Sequence, residues 1–180
     1  MVHTPEQPPG EVLLPGLIPN EYAQQIARIV SGFAQLEYDI DIIIWELAGL
    51  ADNPDIGACL TAQIGAVVPR MEALISLAHL RNIPEIQITK LNKFKERIRG
   101  IGERRHRVAH DPWLSSFAPH DPNLSGRIYR LQKTAKSKLE HAYKRIEITE
   151  LQNLNHEIWE ATWNFSDLGI EILHIFRSLP

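Results

Sequence analysis

Residues 149–179 read TELQNLNHEIWEATWNFSDLGIEILHIFRSL. Leu151, Leu154, Ile158, Ala161, Phe165, Leu168, Ile172, Ile175 and Leu179 follow one another in unbroken steps of three and four, which gathers one apolar stripe along a helix. Thr149, with Gln152 three residues on, reads as a capping box at its start. A stripe of this length must be buried against comparable surfaces, and three earlier segments carry the same pattern. Residues 20–51 place Ile26, Ile29, Phe33, Leu36, Ile40, Ile43, Leu47 and Leu50 on one face, with Asn20 as the expected cap and Asp52-Asn53-Pro54 as the stop. A second helix is predicted from Pro54 or Asp55 to about residue 81, with Leu60, Ile64, Val67, Met71, Leu74, Leu77 and Ala78 inward. Pro69 is expected to kink or divide it. A third begins after Pro84, with Leu91, Phe94, Ile98, Ile101 and Val108 on its seam, and stops at Pro112.

These readings predict an all-α fold: an up-and-down bundle of four long helices with a basic, partly irregular insertion before the last helix. Within residues 112–148, Pro119, Asp121-Pro122 and Ser125-Gly126 mark turns, and Arg127-Ile128-Tyr129-Arg130-Leu131 alternates like a short strand. Residues 134–146 fit either a helix or a second strand. Five of the twelve prolines fall in the first 20 residues, so residues 1–19 are expected to form a Pro-rich extended arm, tacked down by Val12-Leu13-Leu14 and Leu17-Ile18. Residues 20–180 are then a single domain, a size that one core can fill.

Cys59 is the only cysteine and is assigned to the core. With no internal disulfide, no leader pattern and no apolar run near the roughly 20 residues of a membrane span, a cytoplasmic protein with no membrane contact is expected. The four Trp and five Phe are likewise assigned to the core. Charge is segregated along the chain. Residues 90–145 hold 15 of the 19 Lys and Arg but 5 of the 22 Asp and Glu, a net +10 against −13 elsewhere. That segment suits RNA, an acidic protein surface, or the acidic helices of the same fold.

The cationic segment contains Glu103-Arg104-Arg105-His106-Arg107-Val108-Ala109-His110-Asp111-Pro112. Arg105 stands where the seam of the third helix asks for an apolar residue. As a structural residue it needs a carboxylate, a carbonyl or water at the helix end, and Glu37, Asp39, Asp41 and Glu46 are the candidate carboxylates. As a chemical one it offers a permanent planar cation beside His106 and His110, whose imidazoles change charge near neutral pH. His110 lies about 140° round an ideal helix from Arg105, so the two meet only if the helix frays before Pro112 or if they come from facing subunits. His110 also shares a polar stripe with Arg99, Glu103 and His106. A zinc site built on His106 and His110, with His120 or Asp111, is the competing chemistry, but no spacing specifies a third ligand. Gly100 and Gly102 are read as places of close packing or bending before this segment. His79, His141, His156 and His174 are read as ordinary surface or satisfied core residues.

The run Arg105-His106-Arg107-Val108-Ala109-His110 resembles the motif of the HEPN superfamily: an Arg, four to six residues, then a His, with a polar residue directly after the Arg. Arg104 is the other candidate for the motif arginine. The resemblance implies a homodimer in which two motifs meet to form a metal-independent endoribonuclease, with no cofactor and no bound metal. Such proteins serve in toxin–antitoxin systems and antiviral defence, with an antitoxin protein as a possible partner. Carried onto this chain, His110 is the general acid and base, Arg105 holds the scissile phosphate, and His106 orients the pair. Arg99, Arg104 and Arg107 contact the RNA, and the products carry 2′,3′-cyclic phosphate and 5′-hydroxyl ends. The alternative is a HEPN-like module without catalysis that binds RNA or an acidic protein.

Overall fold

Three of the apolar stripes fold as expected, and the segments between them do so only in part: the strand expected at residues 127–131 forms. The fold, a computed structural model, is described for residues 10, 12–15, 18–117, 126–136 and 138–179. These form five α-helices and one four-stranded antiparallel sheet, so the expectation of a purely α-helical four-helix bundle is corrected. In chain order the elements are β1 (Val12–Pro15), α1 (Asn20–Ala48), α2 (Pro54–Thr61), α3 (Val67–Leu80), α4 (Glu85–His110), β2 (Trp113–Phe117), β3 (Ile128–Lys136), β4 (Lys138–Arg145) and α5 (Ile148–Ser178). Among the described residues no helix is long and apolar enough to cross a membrane. The chain divides into two compact units, one of residues Met1–Ile29 with Arg105–Asn155, the other of Val30–Arg104 with His156–Pro180.

The first unit holds the sheet, in the order β1-β2-β3-β4 with every pair antiparallel. Val12 pairs with Phe117, Trp113 with Arg130, and Tyr129 with Arg145. The Pro-rich arm therefore contributes an edge strand. An edge tolerates Pro15, because a proline there removes no hydrogen bond the sheet interior needs. Residues 134–146, left between helix and strand by their composition, are mostly strand. The unit buries Ile29, Val108, Leu114, Ile128, Ile146, Leu151 and Leu154. The Tyr22 hydroxyl donates to the Ile146 carbonyl at 3.1 Å, and burial pushes its pKa up. α5 starts two residues earlier than its capping box suggested: the Glu147 N–H donates to Glu150 Oε1 at 3.3 Å, placing Thr149 inside the helix. Burial raises the Glu150 carboxyl, but hydrogen bonds from Lys144 and the Glu147 N–H outweigh it and leave the pKa lowered.

In the second unit, α1 ends at Ala48, short of the expected stop. Gly49, at φ +77°, turns the chain, with its N–H on the Glu46 carbonyl and that of Leu50 on the Trp45 carbonyl. Asn82, at φ +55°, ends α3 in the same way. At the N-terminal end of α1, Pro19 supplies the first carbonyl and Asn20 is already helical, so Asn20 is not the cap. The predicted second helix is two, and Pro69 lies in the first turn of α3, where its missing N–H has no helical acceptor to lose. The division decouples α2 from the apolar phase of α3. As a result Leu60 is exposed and so is Cys59, correcting the core assignment of both.

Gly57 and Thr61 are the buried positions of α2. A Cβ at Gly57 would lie 2.6 Å from an indole carbon of Trp45, whose Nε1–H donates to Thr61 Oγ1 at 3.2 Å. Gly57→Ala is therefore expected to destabilise the protein by about 1–3 kcal/mol through overpacking, read as a lowered urea midpoint. Gly102 is a place of close approach as expected: a Cβ there would lie 3.3 Å from Phe33 and 3.4 Å from Val67. Gly100 faces open space.

Candidate functional site

The cationic segment forms the last two turns of α4. The Asp111 N–H bonds to the Arg107 carbonyl at 3.0 Å, so the helix stays wound through His110 and does not fray before Pro112. Arg105 keeps the place on the seam that its spacing assigned and is half-buried, while His106, Arg107 and His110 are exposed. His106 and His110, one turn apart, bring their rings together with centroids 4.6 Å apart and planes tilted by 46°. Cationic groups are favoured here because the unpaired carbonyls at a helix C-terminus carry partial negative charge. One of those carbonyls, on Val108, accepts the indole N–H of Trp113 at 2.9 Å, which ties β2 to the helix end.

Directly after the motif, Asp111 faces Arg130 of β3. Arg130 Nε lies 3.4 Å from Asp111 Oδ2, close enough for an ion pair, although the two atoms are not aligned as a hydrogen bond. Arg130 is only 7% exposed, and burial lowers its pKa; Asp111 opposes that shift, while the nearby Arg107 cation adds to it. Sequence reasoning missed this residue. The alternation of residues 127–131 marked it as half of a strand pattern, but nothing local showed that Arg130 would sit opposite Trp113 and reach the end of α4.

The remaining sequence candidates are dispersed. Arg104 makes a two-pronged pair with Glu157, its Nη1 at 2.8 Å from Oε1. The hydrogen bond from Arg104 is the main cause holding the Glu157 carboxyl below its ordinary range. Arg99 pairs with Glu96 one turn back at 3.0 Å. Of the acids considered as partners of Arg105, Asp41 faces Arg70 at 3.4 Å, Glu46 faces Arg177 at 3.2 Å, and Asp39 accepts from Gln35 at 2.8 Å. For the zinc alternative, Asp111 is directed at Arg130, and among the described residues no group of three or more His, Cys, Asp or Glu is placed to hold a metal. His120 lies outside the described residues. His79 and His174 are exposed, and His156 lies 3.3 Å from Glu160. Trp159 and Trp163, assigned to the core with the other aromatics, are 57% and 58% exposed.

Compared with protein-family models, curated proteins and solved structures, the chain matches none. The resemblance to HEPN proteins rests on the motif residues of the sequence alone.

Proposed function

We propose that the chain is a metal-independent endoribonuclease of HEPN type, acting in toxin–antitoxin or antiviral defence, whose site is completed when two copies pair. The observation that carries this reading is the solvent-open His106–His110 pair on the last turn of α4, beside Arg107 and one turn beyond half-buried Arg105. An imidazole there can accept the 2′-hydroxyl proton while the 2′-oxygen attacks phosphorus. As the bond to the 5′-oxygen breaks, an imidazolium returns a proton to the leaving group. A guanidinium on the non-bridging oxygens stabilises the charge that develops between these events. His110 is the acid and base in this scheme, Arg105 the phosphate clamp and His106 the orienting group. Arg105 is taken as the motif arginine from its place in the run, and Arg104, which pairs with Glu157, and Arg107 as further RNA contacts. Since α4 is helical through His110, Arg105 and His110 of one chain diverge by about 140°. The pair that acts together therefore comes from two copies.

The test is to incubate the purified chain with end-labelled single-stranded RNA in EDTA. Products with 2′,3′-cyclic phosphate and 5′-hydroxyl ends are expected, and intact RNA at micromolar enzyme would reject the reading. The same divergence of Arg105 and His110 favours a second reading, a module that binds RNA or an acidic protein without turnover. Binding that weakens steeply with salt and yields no product selects it.

A further inference from the structure

The net +10 of residues 90–145 divides in two. On α4, five cations from Lys90 to Arg104 pair with glutamates of α3, α4 and α5, so this half of the charge is matched within the fold. The other half lies in residues 127–145, which hold seven Lys and Arg and one acid, Glu140. Acids from outside the segment meet it at its base, where Asp111 lies 3.4 Å from Arg130, Glu150 2.6 Å from Lys144 and Glu147 2.9 Å from Arg145.

Beyond that base β3 and β4 form a two-stranded ribbon. β2 pairs only with residues 128–130, and among the described residues β4 is the one strand paired with residues 131–136, a reach of about 20 Å. Residues directly opposite in an antiparallel pair share a face, and successive residues alternate between faces. The register therefore sets Arg130 with Lys144, Gln132 with Ala142, Thr134 with Glu140 and Lys136 with Lys138 on one face. At its base this face meets the end of α4, through Arg130 and Asp111. At its far end Lys136 stands directly opposite Lys138, a like-charge pairing that costs the sheet stability and that an anion bridging the two offsets.

We infer that this face of the ribbon carries single-stranded RNA, holding the strand that flanks the scissile phosphate from the end of α4 out to Lys136 and Lys138. The inference deepens the nuclease reading and rests on its placing of RNA at the end of α4. Gln132 and Thr134, between the site and the two lysines, are residue types that bind phosphate and sugar without regard to sequence, and Glu140 is the one acid on the face. A protein partner suits the face less well. Its one apolar position beyond the base is Ala142, whereas protein interfaces are built round an apolar, aromatic-rich core. An RNA duplex is also disfavoured, because the A-form major groove is too deep and narrow to admit a ribbon as the B-form groove does.

The test is binding of the full chain to a short, labelled single-stranded RNA, 2′-O-methylated so that it cannot be cut, read by fluorescence anisotropy. Lys136→Gln with Lys138→Gln should weaken binding about 25-fold near 0.1 M salt and lower the slope of log K against log salt by about 1.4, the effect of losing two phosphate contacts to a single strand. Lys136→Arg with Lys138→Arg should retain binding. Lys90→Gln with Lys93→Gln, which removes the same charge from α4, should change neither quantity. Because the probe is uncut, the ribbon and the nuclease can fail separately. Binding that depends on Lys136 and Lys138, in a protein that cuts no natural RNA, keeps the ribbon as an RNA track and removes the nuclease reading. A protein that cuts RNA but binds it indifferently to these two lysines overturns the inference and leaves the nuclease standing. No binding by the wild type, an equal loss in the α4 variant, or displacement of the RNA by oligoglutamate of the same charge would also overturn it.

Discussion

Arg105→Ala and His110→Ala are each expected to lower RNA cleavage by about 10²–10⁴-fold, the range for losing a positioned acid–base group or a charge-stabilising donor. Mixing the two inactive proteins should restore about one quarter of wild-type activity, because two-fold symmetry leaves half the dimers mixed, each with one intact site. The arithmetic follows from the wound helix. If the acting pair is Arg105 of one copy and His110 of the other, a mixed dimer joins the surviving Arg to the surviving His at one site and both defects at the other. If instead each chain carries its own site, mixing restores nothing. His110 is exposed, so its truncation should leave the helical spectrum intact. Arg105 is half-buried, and its variant calls for a check by Arg105→Lys, which keeps the charge but loses the fork and should cleave far less than wild type. Full activity in both alanine variants would reject the assignment of the motif.

The helices that the sequence made legible are those whose apolar residues recur every three or four positions over several turns. α1, α4 and α5 have this property, and Arg105 was visible because it interrupts one such run. The sheet was legible only in part: the alternation of residues 127–131 marked one strand, which falls in Ile128–Lys136, while the others draw on segments that point elsewhere when read alone. Lys138–Arg145 is richer in helix formers than in strand formers, and only pairing with Ile128–Lys136 makes it a strand. Val12–Pro15 lies among prolines that read as irregular chain. Trp159 and Trp163 escaped for a different reason: a periodicity that explains one face of a helix gives no account of the aromatics on the other. At the site, local spacing brought His106 and His110 together. Arg130, which acts across 19 positions of chain, left no local trace.

Asp111→Ala is expected to destabilise the fold by about 3–5 kcal/mol, the cost of removing one partner from a buried ion pair and leaving the other charge uncompensated. Arg130 is the residue left behind. It is 7% exposed, its nearest counter-charge is 3.4 Å away on Asp111, and Arg107 adds a repulsive field from the last turn of α4. Attraction between the two groups offsets a desolvation that apolar residues would not incur, so replacing both should be far milder than replacing one. Asp111→Leu with Arg130→Met is therefore expected to recover most of the stability lost by Asp111→Ala, measured by urea denaturation of the three proteins. A single variant within 1 kcal/mol of wild type would show that water reaches Arg130 and that the pair does not hold β3 to the end of α4. The double variant also separates architecture from chemistry. It keeps Arg105, His106 and His110, so a stable double variant that still cleaves RNA assigns Asp111 to holding the motif in place, and one that is stable but inactive assigns the carboxylate a part in orienting His110.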